Sequence, residues 1–234
     1  MEIEVSSDPA GRCAELLAAA AAAGQHIVVT GGSTPAAAYE RAAGLEADWS
    51  RATLWWSDER CVPPDDQLSN YGLVERALLG KLAERGGAAP TVHRMRGESG
   101  PAAGADDYER TMREAIGEQL PRLDLILLGL GPDAHVASLF PSQRSLRVKD
   151  RIAVGVEQAG LEPYVPRISL SLPVLCGAGR IVFLVTGADK ADAVARAFAG
   201  EPSEGAPGSL VRPTVGEMTV LLDAAAASRL PESE

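Results

Sequence analysis

Cysteine is scarce: Cys13, Cys61 and Cys176 are the only three in 234 residues. An odd count, scattered and without Cys–x–x–Cys spacing, argues against a disulfide framework and a structural zinc site, and fits a reducing compartment. Aromatic residues make up 4% of the chain against 46% hydrophobic content, so the core must rely heavily on aliphatic packing. No uninterrupted apolar run reaches the roughly 18 residues of a membrane span. The opening MEIEVSSDPAGR carries acids where a secretory signal carries an apolar core. The expectation is a soluble, cytoplasmic protein. Positive charge is also in deficit, with 22 Lys+Arg against 32 Asp+Glu and a net charge of −10. Such a surface repels nucleic acid and anionic membrane, so neither is expected as a partner. Cations that hold an anionic substrate must then be gathered locally.

Against these absences one stretch stands out, Asp124 to Pro141, DLILLGLGPDAHVASLFP. Leu125 to Leu128 is an apolar run of the kind buried on both faces of a parallel sheet. Gly129, Gly131 and Pro132 break it at what would be the carboxyl edge, where open α/β sheets bind ligands. Asp133 and His135 follow at once, an acid and an imidazole two residues apart. They form either a proton-transfer pair in a crevice or a helix cap with a local hydrogen bond.

The rest of the chain alternates strand and helix. Asp8-Pro9 predicts a helix start, with the Ala-rich run continuing to Ala23 and ending at Gly24. Ile27–Thr30 predicts a strand, followed by Gly31-Gly32-Ser33-Thr34-Pro35 and a second helix. Glycines, free helix N–H groups and the hydroxyls of Ser33 and Thr34 suit a phosphate cradle; the plain alternative is a capped tight turn. The stretch is neither a P-loop, whose lysine is missing, nor a G-x-G-x-x-G fingerprint. Thr53–Ser57 predicts a strand ending in Asp58-Glu59-Arg60, which must face solvent or a site because charges are not buried unpaired. Residues 65–72 read as a polar loop, with a helix from Leu73 to about Arg85. Further expectations are a short strand at Thr91–Met95, a long helix over Ala102–Leu120, a mobile basic loop beyond Pro141, and a strand at Ile152–Val156. Next come a half-buried strand from Arg167 (RISLSLPVL), a strand at Ile181–Thr186 and a turn before a helix through Phe198. A last strand at Met218–Leu222 and a terminal helix over Ala224–Leu230 complete the chain. Lys190, at a helix start where the dipole disfavours a cation, fits an anion shared with that helix end or a solvated side chain. His26 and His93 lack partner motifs and read as structural or surface residues. The pattern predicts one α/β domain over 1–234, a three-layer Rossmann-like fold with a mostly parallel sheet and helices on both faces.

Taken in order, VVTGGSTPAAAY, WWSDERCVPPDDQLSNYG, LILLGLGPDAHVASLFP, RISLSLPVL and VTGADK resemble the 6-phosphogluconolactonase family over nearly the whole chain. The related glucosamine-6-phosphate deaminase/isomerase group shares the Gly-Gly-Ser-Thr-Pro turn and the Asp-x-His loop. It carries a phenylalanine-asparagine-glutamate run where this chain has Ala137-Ser138-Leu139-Phe140-Pro141, and usually tyrosine where this chain has Arg60. The lactonase loop usually reads Gly-Pro-Asp-Gly-His, whereas Ala134 precedes the histidine here; a positive φ at that position would strain alanine by roughly 1 kcal/mol.

The resemblance implies hydrolysis of 6-phospho-D-glucono-1,5-lactone to 6-phosphogluconate in the pentose phosphate pathway. His135 would act as general base toward water, since an imidazole ordinarily titrates near pH 6.5. Asp133 would orient that ring or face the sugar hydroxyls. Gly32, Ser33, Thr34, Arg60, Arg167 and Lys190 would hold the phosphate, and Asp58 would contact sugar hydroxyls or hold Arg60. The implied partner is a small sugar-phosphate lactone, with no cofactor and no metal, on a monomer or small homo-oligomer. The other readings are a deaminase-like enzyme and a non-catalytic sugar-phosphate sensor on the same fold.

Overall fold

The computed structural model describes residues 1–117 and 120–231. In chain order, strand β1 (Glu2–Val5) leads into helix α1 (Pro9–Ala22), whose first turn is capped by Asp8 accepting from the Gly11 N–H at 3.1 Å. Strand β2 (His26–Val29) and helix α2 (Ser33–Gly44) follow, then β3 (Thr53–Trp56) and β4 (Asp58–Arg60). Helix α3 (Asn70–Val74) runs through a π-helical turn at Glu75–Leu79 into α4 (Gly80–Glu84). After β5 (Thr91–Val92), α5 (Pro101–Ile116) and β6 (Leu125–Leu128) come β7 (Ala153–Val156), β8 (Arg167–Leu170) and the short α6 (Leu172–Cys176). Strand β9 (Arg180–Val185), helix α7 (Ala191–Phe198) and strand β10 (Glu217–Leu222) complete the fold.

Seven strands form one sheet in the order β1-β10-β9-β6-β2-β3-β5, and every neighbouring pair is parallel. Parallel strands need crossovers that cover the sheet, so β6 is buried at all four positions, as its unbroken Leu-Ile-Leu-Leu run predicts. From β2 the chain moves toward β3, and from β6 toward β9. The strand order therefore reverses between β2 and β6, and an open α/β sheet leaves its ligand crevice at the carboxyl ends of such a pair. One apolar cluster spans Cys13 to Ala226, with Trp49, Trp55, Trp56, Tyr39 and Tyr108 among its largest fully buried side chains.

A second sheet, β4-β8-β7, is small and antiparallel. Ser57 alone separates it from the large sheet: its N–H donates to Val29 O and its carbonyl accepts from Leu170 N–H. Asp58-Glu59-Arg60 is thus a strand, not a loop, and it faces Arg167-Ile168-Ser169 in register.

Other boundaries also move. β8 is buried throughout rather than on one face, because it packs inside this second sheet. The third helix begins at Asn70, since Ser69 rather than a residue near Leu73 supplies the cap, accepting from the Gly72 N–H at 3.0 Å. The predicted Thr91–Met95 strand pairs only at Thr91 and Val92. β1, unforeseen in a stretch rich in acids, pairs with β10 on one side only. Residues 224–230 form successive turns instead of a helix. Helix α5 stops at Gly117, whose φ is 78°; residues 118 and 119 of the predicted 102–120 helix lie outside the described residues, as do residues 232–234 of the expected domain. Beyond Pro141 the chain makes a 3-10 turn at Arg144–Arg147 pinned by buried Leu146, and Arg147 pairs with Glu204. His26 accepts from the Trp55 indole N–H at 3.0 Å and His93 stacks on the same indole, so both are structural.

Candidate active site

The carboxyl ends of β2, β3, β6 and β9 open into one cavity of about 270 Å³. Its wall includes Gly32, Ser33, Thr34, Asp58, Arg60, His135, Arg167 and Lys190, so every site residue expected from the sequence reaches it except Asp133. Among the described residues no helix is long and apolar enough to cross a membrane.

On one side stands His135. Asp133 Oδ1 lies 2.5 Å from its Nδ1 and also accepts from its backbone N–H at 3.1 Å. The acid therefore sits behind the imidazole, not in front of a ligand. That contact fixes the tautomer, leaving Nε2 to exchange protons. Burial pushes the Asp133 carboxyl up, but the hydrogen bond and charge of His135 more than offset this and leave it below the usual carboxylate value. Gly131 makes room for the pair. A β-carbon there would stand 2.0 Å from His135 Nδ1 and 2.7 Å from Asp133 Oδ1. Flanking the histidine, Ala134 has φ 68° and Ala137 φ 50°, both left-handed, at a cost of about 1–2 kcal/mol each. The strain anticipated at Ala134 is present.

On the other side are the cations. Arg60 and Arg167 face each other across β4 and β8, and neither has a carboxylate within ion-pair distance among the described residues. Arg60 Nη1 donates to Leu68 O at 2.6 Å while its buried Nε has no partner. Arg167 is 4% exposed and donates to Val165 O and Pro163 O. Burial, then the like charge of Arg60, pull Arg167 below the usual guanidinium value. Lys190 closes the 3-10 turn Ala188–Lys190, 3.9 Å from the exposed Asp189 carboxylate. Phe140 links the halves, its ring centroid 4.7 Å from that of His135 and 6.0 Å from the Arg167 guanidinium carbon.

The Gly32 turn completes the cationic side. Gly32, at φ 110°, precedes the first turn of α2 and no side chain caps that helix end. Its free N–H groups and positive dipole end point at the cavity, an arrangement that binds anions. Thr34 Oγ1 lies 2.9 Å from Thr186 Oγ1, tying this turn to the end of β9.

Asp58 and Glu59 are both nearly sealed, 5% and 2% exposed. Asp58 forms no ion pair with Arg60. Its Oδ1 accepts from Ser57 Oγ (2.9 Å) and Asn70 Nδ2 (3.3 Å), and its Oδ2 from Ser138 Oγ (2.7 Å). Glu59 accepts from the backbone N–H groups of Arg60, Asn70 and Tyr71, each at 2.7 Å, and from Ser69 Oγ at 3.1 Å. It closes the first turn of α3 and so places Asn70 on the cavity wall.

Asn70, Ser138, Phe140 and Thr186 are contributors that the sequence reading did not single out. One signal for Thr186 was available: β2 and β9 both end in Val-Thr-Gly, a hydroxyl and a glycine at the carboxyl edge. Asn70 gave none, since a polar run with a capping serine looks the same whether or not its asparagine turns inward.

Residues 3–220 match the family described as glucosamine-6-phosphate isomerases/6-phosphogluconolactonase. The chain is 39% identical over 209 residues to a 6-phosphogluconolactonase of Nostoc sp., covering 86% of this chain and 82% of that one. It is 35% identical over 185 residues to the human 6-phosphogluconolactonase, covering 79% and 70% respectively. The crystal structure of devB protein superposes with a TM-score of 0.87 at 33% identity, covering 98% of this chain and 99% of that one. A switch-point cavity with an Asp-backed histidine facing arginines and a helix end, together with these likenesses, establishes that the chain belongs to the glucosamine-6-phosphate isomerase/6-phosphogluconolactonase family.

Proposed function

We propose that the protein hydrolyses 6-phospho-D-glucono-1,5-lactone to 6-phosphogluconate in the pentose phosphate pathway. The observation that carries this reading is the division of one cavity between an imidazole backed by a carboxylate and two arginines that have no counter-ion among the described residues. The phosphate dianion supplies the counter-ion that Arg60 and Arg167 lack, and Lys190 adds a third charge to it. The N–H groups at Gly32, Ser33 and Thr34 cradle it.

With the phosphate held at that end, the lactone carbonyl lies toward His135. His135 Nε2 takes a proton from water as its oxygen attacks that carbonyl, and Asp133 stabilises the imidazolium so formed. The tetrahedral intermediate collapses by breaking the bond to the ring oxygen, which receives the proton back from His135. Water has then added across the ester bond, leaving a carboxylic acid and a hydroxyl; the acid ionises at neutral pH and releases one proton to solvent. No serine nucleophile is needed. The lactonase names of the relatives support the choice over deamination. The single apolar cluster supports one domain, the three free cysteines fit a reducing cytoplasm, and the net charge of −10 disfavours nucleic acid and anionic membrane as partners of a monomer or small homo-oligomer.

The test is acid release from freshly generated lactone in a pH-stat near neutrality. His135→Ala lowers kcat about 10²–10⁴-fold with little change in KM. Arg167→Ala raises KM about 10–100-fold, the loss of one or two charge-assisted bonds. Equal, small losses in both variants, or ammonia release from glucosamine 6-phosphate by the native chain, would overturn the assignment.

A further inference from the structure

The histidine loop is strained on both sides of His135, with left-handed backbone at Ala134 and Ala137. Within the loop, Gly131 N–H donates to His135 O and Ala134 N–H to Gly131 O, each at 2.9 Å. Val136 and Leu139 bond to each other through both backbone groups. These bonds close the turn on itself and do not attach it to the sheet. On the helical side Gly208 N–H donates to Ala134 O at 2.9 Å and the exposed Arg196 to Pro132 O at 3.2 Å; attachment to a sheet comes at Ser138, fully buried, whose Oγ donates to Asp58 Oδ2 at 2.7 Å while its N–H donates to Ser169 Oγ at 3.2 Å. Asp58 and Ser169 are themselves paired in register on β4 and β8. The second sheet thus grips the loop three residues past the histidine.

Asp58 reaches the cavity wall, but both of its oxygens are already engaged by the protein. It is a nearly sealed carboxylate with no cation in contact, satisfied by three side-chain donors, and Ser57 and Asn70 hold it from behind. We infer that Asp58 and Ser138 are positioning residues, a tether that fixes the His135 loop against the sheet carrying Arg60 and Arg167 and so sets the distance between base and phosphate site. The inference rests on His135 being the general base. A placement error of about 1 Å costs on the order of 10²-fold in rate, which is what the tether prevents.

The experiment assays Ser138→Ala, Asp58→Ala and the double variant for lactone hydrolysis, with amide hydrogen exchange measured beside it. The tether predicts a kcat loss of about 10–100-fold in each single variant, KM within about twofold, and a double variant no slower than the poorer single. The amides of Val136 and Leu139 exchange at least about tenfold faster in Ser138→Ala, while those of β6 keep their protection. A raised KM with unchanged kcat in Asp58→Ala would mean that the carboxylate touches the sugar, and it overturns the proposal. So does native kcat in Ser138→Ala. Should the native chain show no lactonase activity, the function fails separately, and the tether is still judged by exchange: unaltered protection of the loop refutes it. Ser138→Cys, of the same shape but a far weaker donor, repeats both readings if either variant does not fold.

Discussion

Glu59→Gln is a change of one atom that should be expensive. In the native protein four donors converge on the two oxygens of Glu59: Oε1 takes the N–H groups of Arg60 and Asn70, and Oε2 takes Tyr71 N–H and Ser69 Oγ. Glutamine offers one oxygen and one NH2. With its oxygen toward Arg60 and Asn70, the NH2 meets Tyr71 N–H donor to donor. Ser69 can rotate to accept, but the Tyr71 N–H cannot. An unsatisfied buried donor costs about 1–3 kcal/mol, and the two surviving bonds lose their charge assistance, worth about 1 kcal/mol more. The expected loss is about 2–4 kcal/mol, or about 1 M in the urea midpoint if m is near 3 kcal/mol/M. Fluorescence of the buried Trp49, Trp55 and Trp56 reports the transition. Hydrogen exchange adds a local readout, since the Tyr71 amide should lose protection ahead of the sheet. Equal midpoints for the two proteins, or native protection at Tyr71, would refute the claim that this carboxylate holds the start of α3.

Two further predictions follow from the histidine loop. Asp133→Asn removes the charge behind His135 and should lower kcat about 10–100-fold with KM held, measured by the same acid-release assay. In the folded state Asp133 lies below its unfolded value near 3.8, so its contribution to stability is present above that value and is lost as the pH falls through the folded value. The acid limb of the native stability curve should therefore be steeper than that of the asparagine variant, and parallel limbs would contradict the pairing. Gly131→Ala drives a β-carbon into the imidazole and should abolish most turnover while the urea midpoint falls by no more than about 1 M; full activity would show that the ring has room to spare.

The sequence made the parallel sheet and the cavity legible because both are written locally. Leu125–Leu128, a four-residue apolar run stopped by glycines, reads as a strand buried on both faces, and Gly-Gly-Ser-Thr after a strand reads as a turn at its carboxyl edge. Even the strain at Ala134 was readable from one substitution in a known pattern. What escaped depends on pairing between distant segments. Asp58-Glu59-Arg60 has no strand signature of its own and becomes β4 because Arg167-Ile168-Ser169 lies beside it. Charged residues at a strand end had to face solvent or a site; Asp58 and Arg60 reach the cavity wall, while Asp58 and Glu59 are nearly sealed because donors from 69–71 and 138 arrive from elsewhere. The terminal run AAAASRL has helix propensity throughout and Asp223 caps its start by accepting from Ala226 N–H, but after one turn Ser228 N–H and Leu230 N–H donate to carbonyls only three and not four residues back, to Ala225 O and Ala227 O, so the run stays a succession of turns.

The place of β1 has a consequence for biosynthesis. Among the described residues its sole neighbour in the sheet is β10, so β1 is synthesised before the other nine strands named above and waits for the latest of them to find its partner. At about 5–20 residues per second, translation of the intervening chain takes roughly 10–40 s. Throughout that interval Ile3 and Val5 hang from an unpaired segment, and β9, once made, presents an open edge until residues 217–222 slot between the two. Vectorial synthesis thus leaves the last seam of the sheet to be closed by β10, between a neighbour made at the outset and one made just before it.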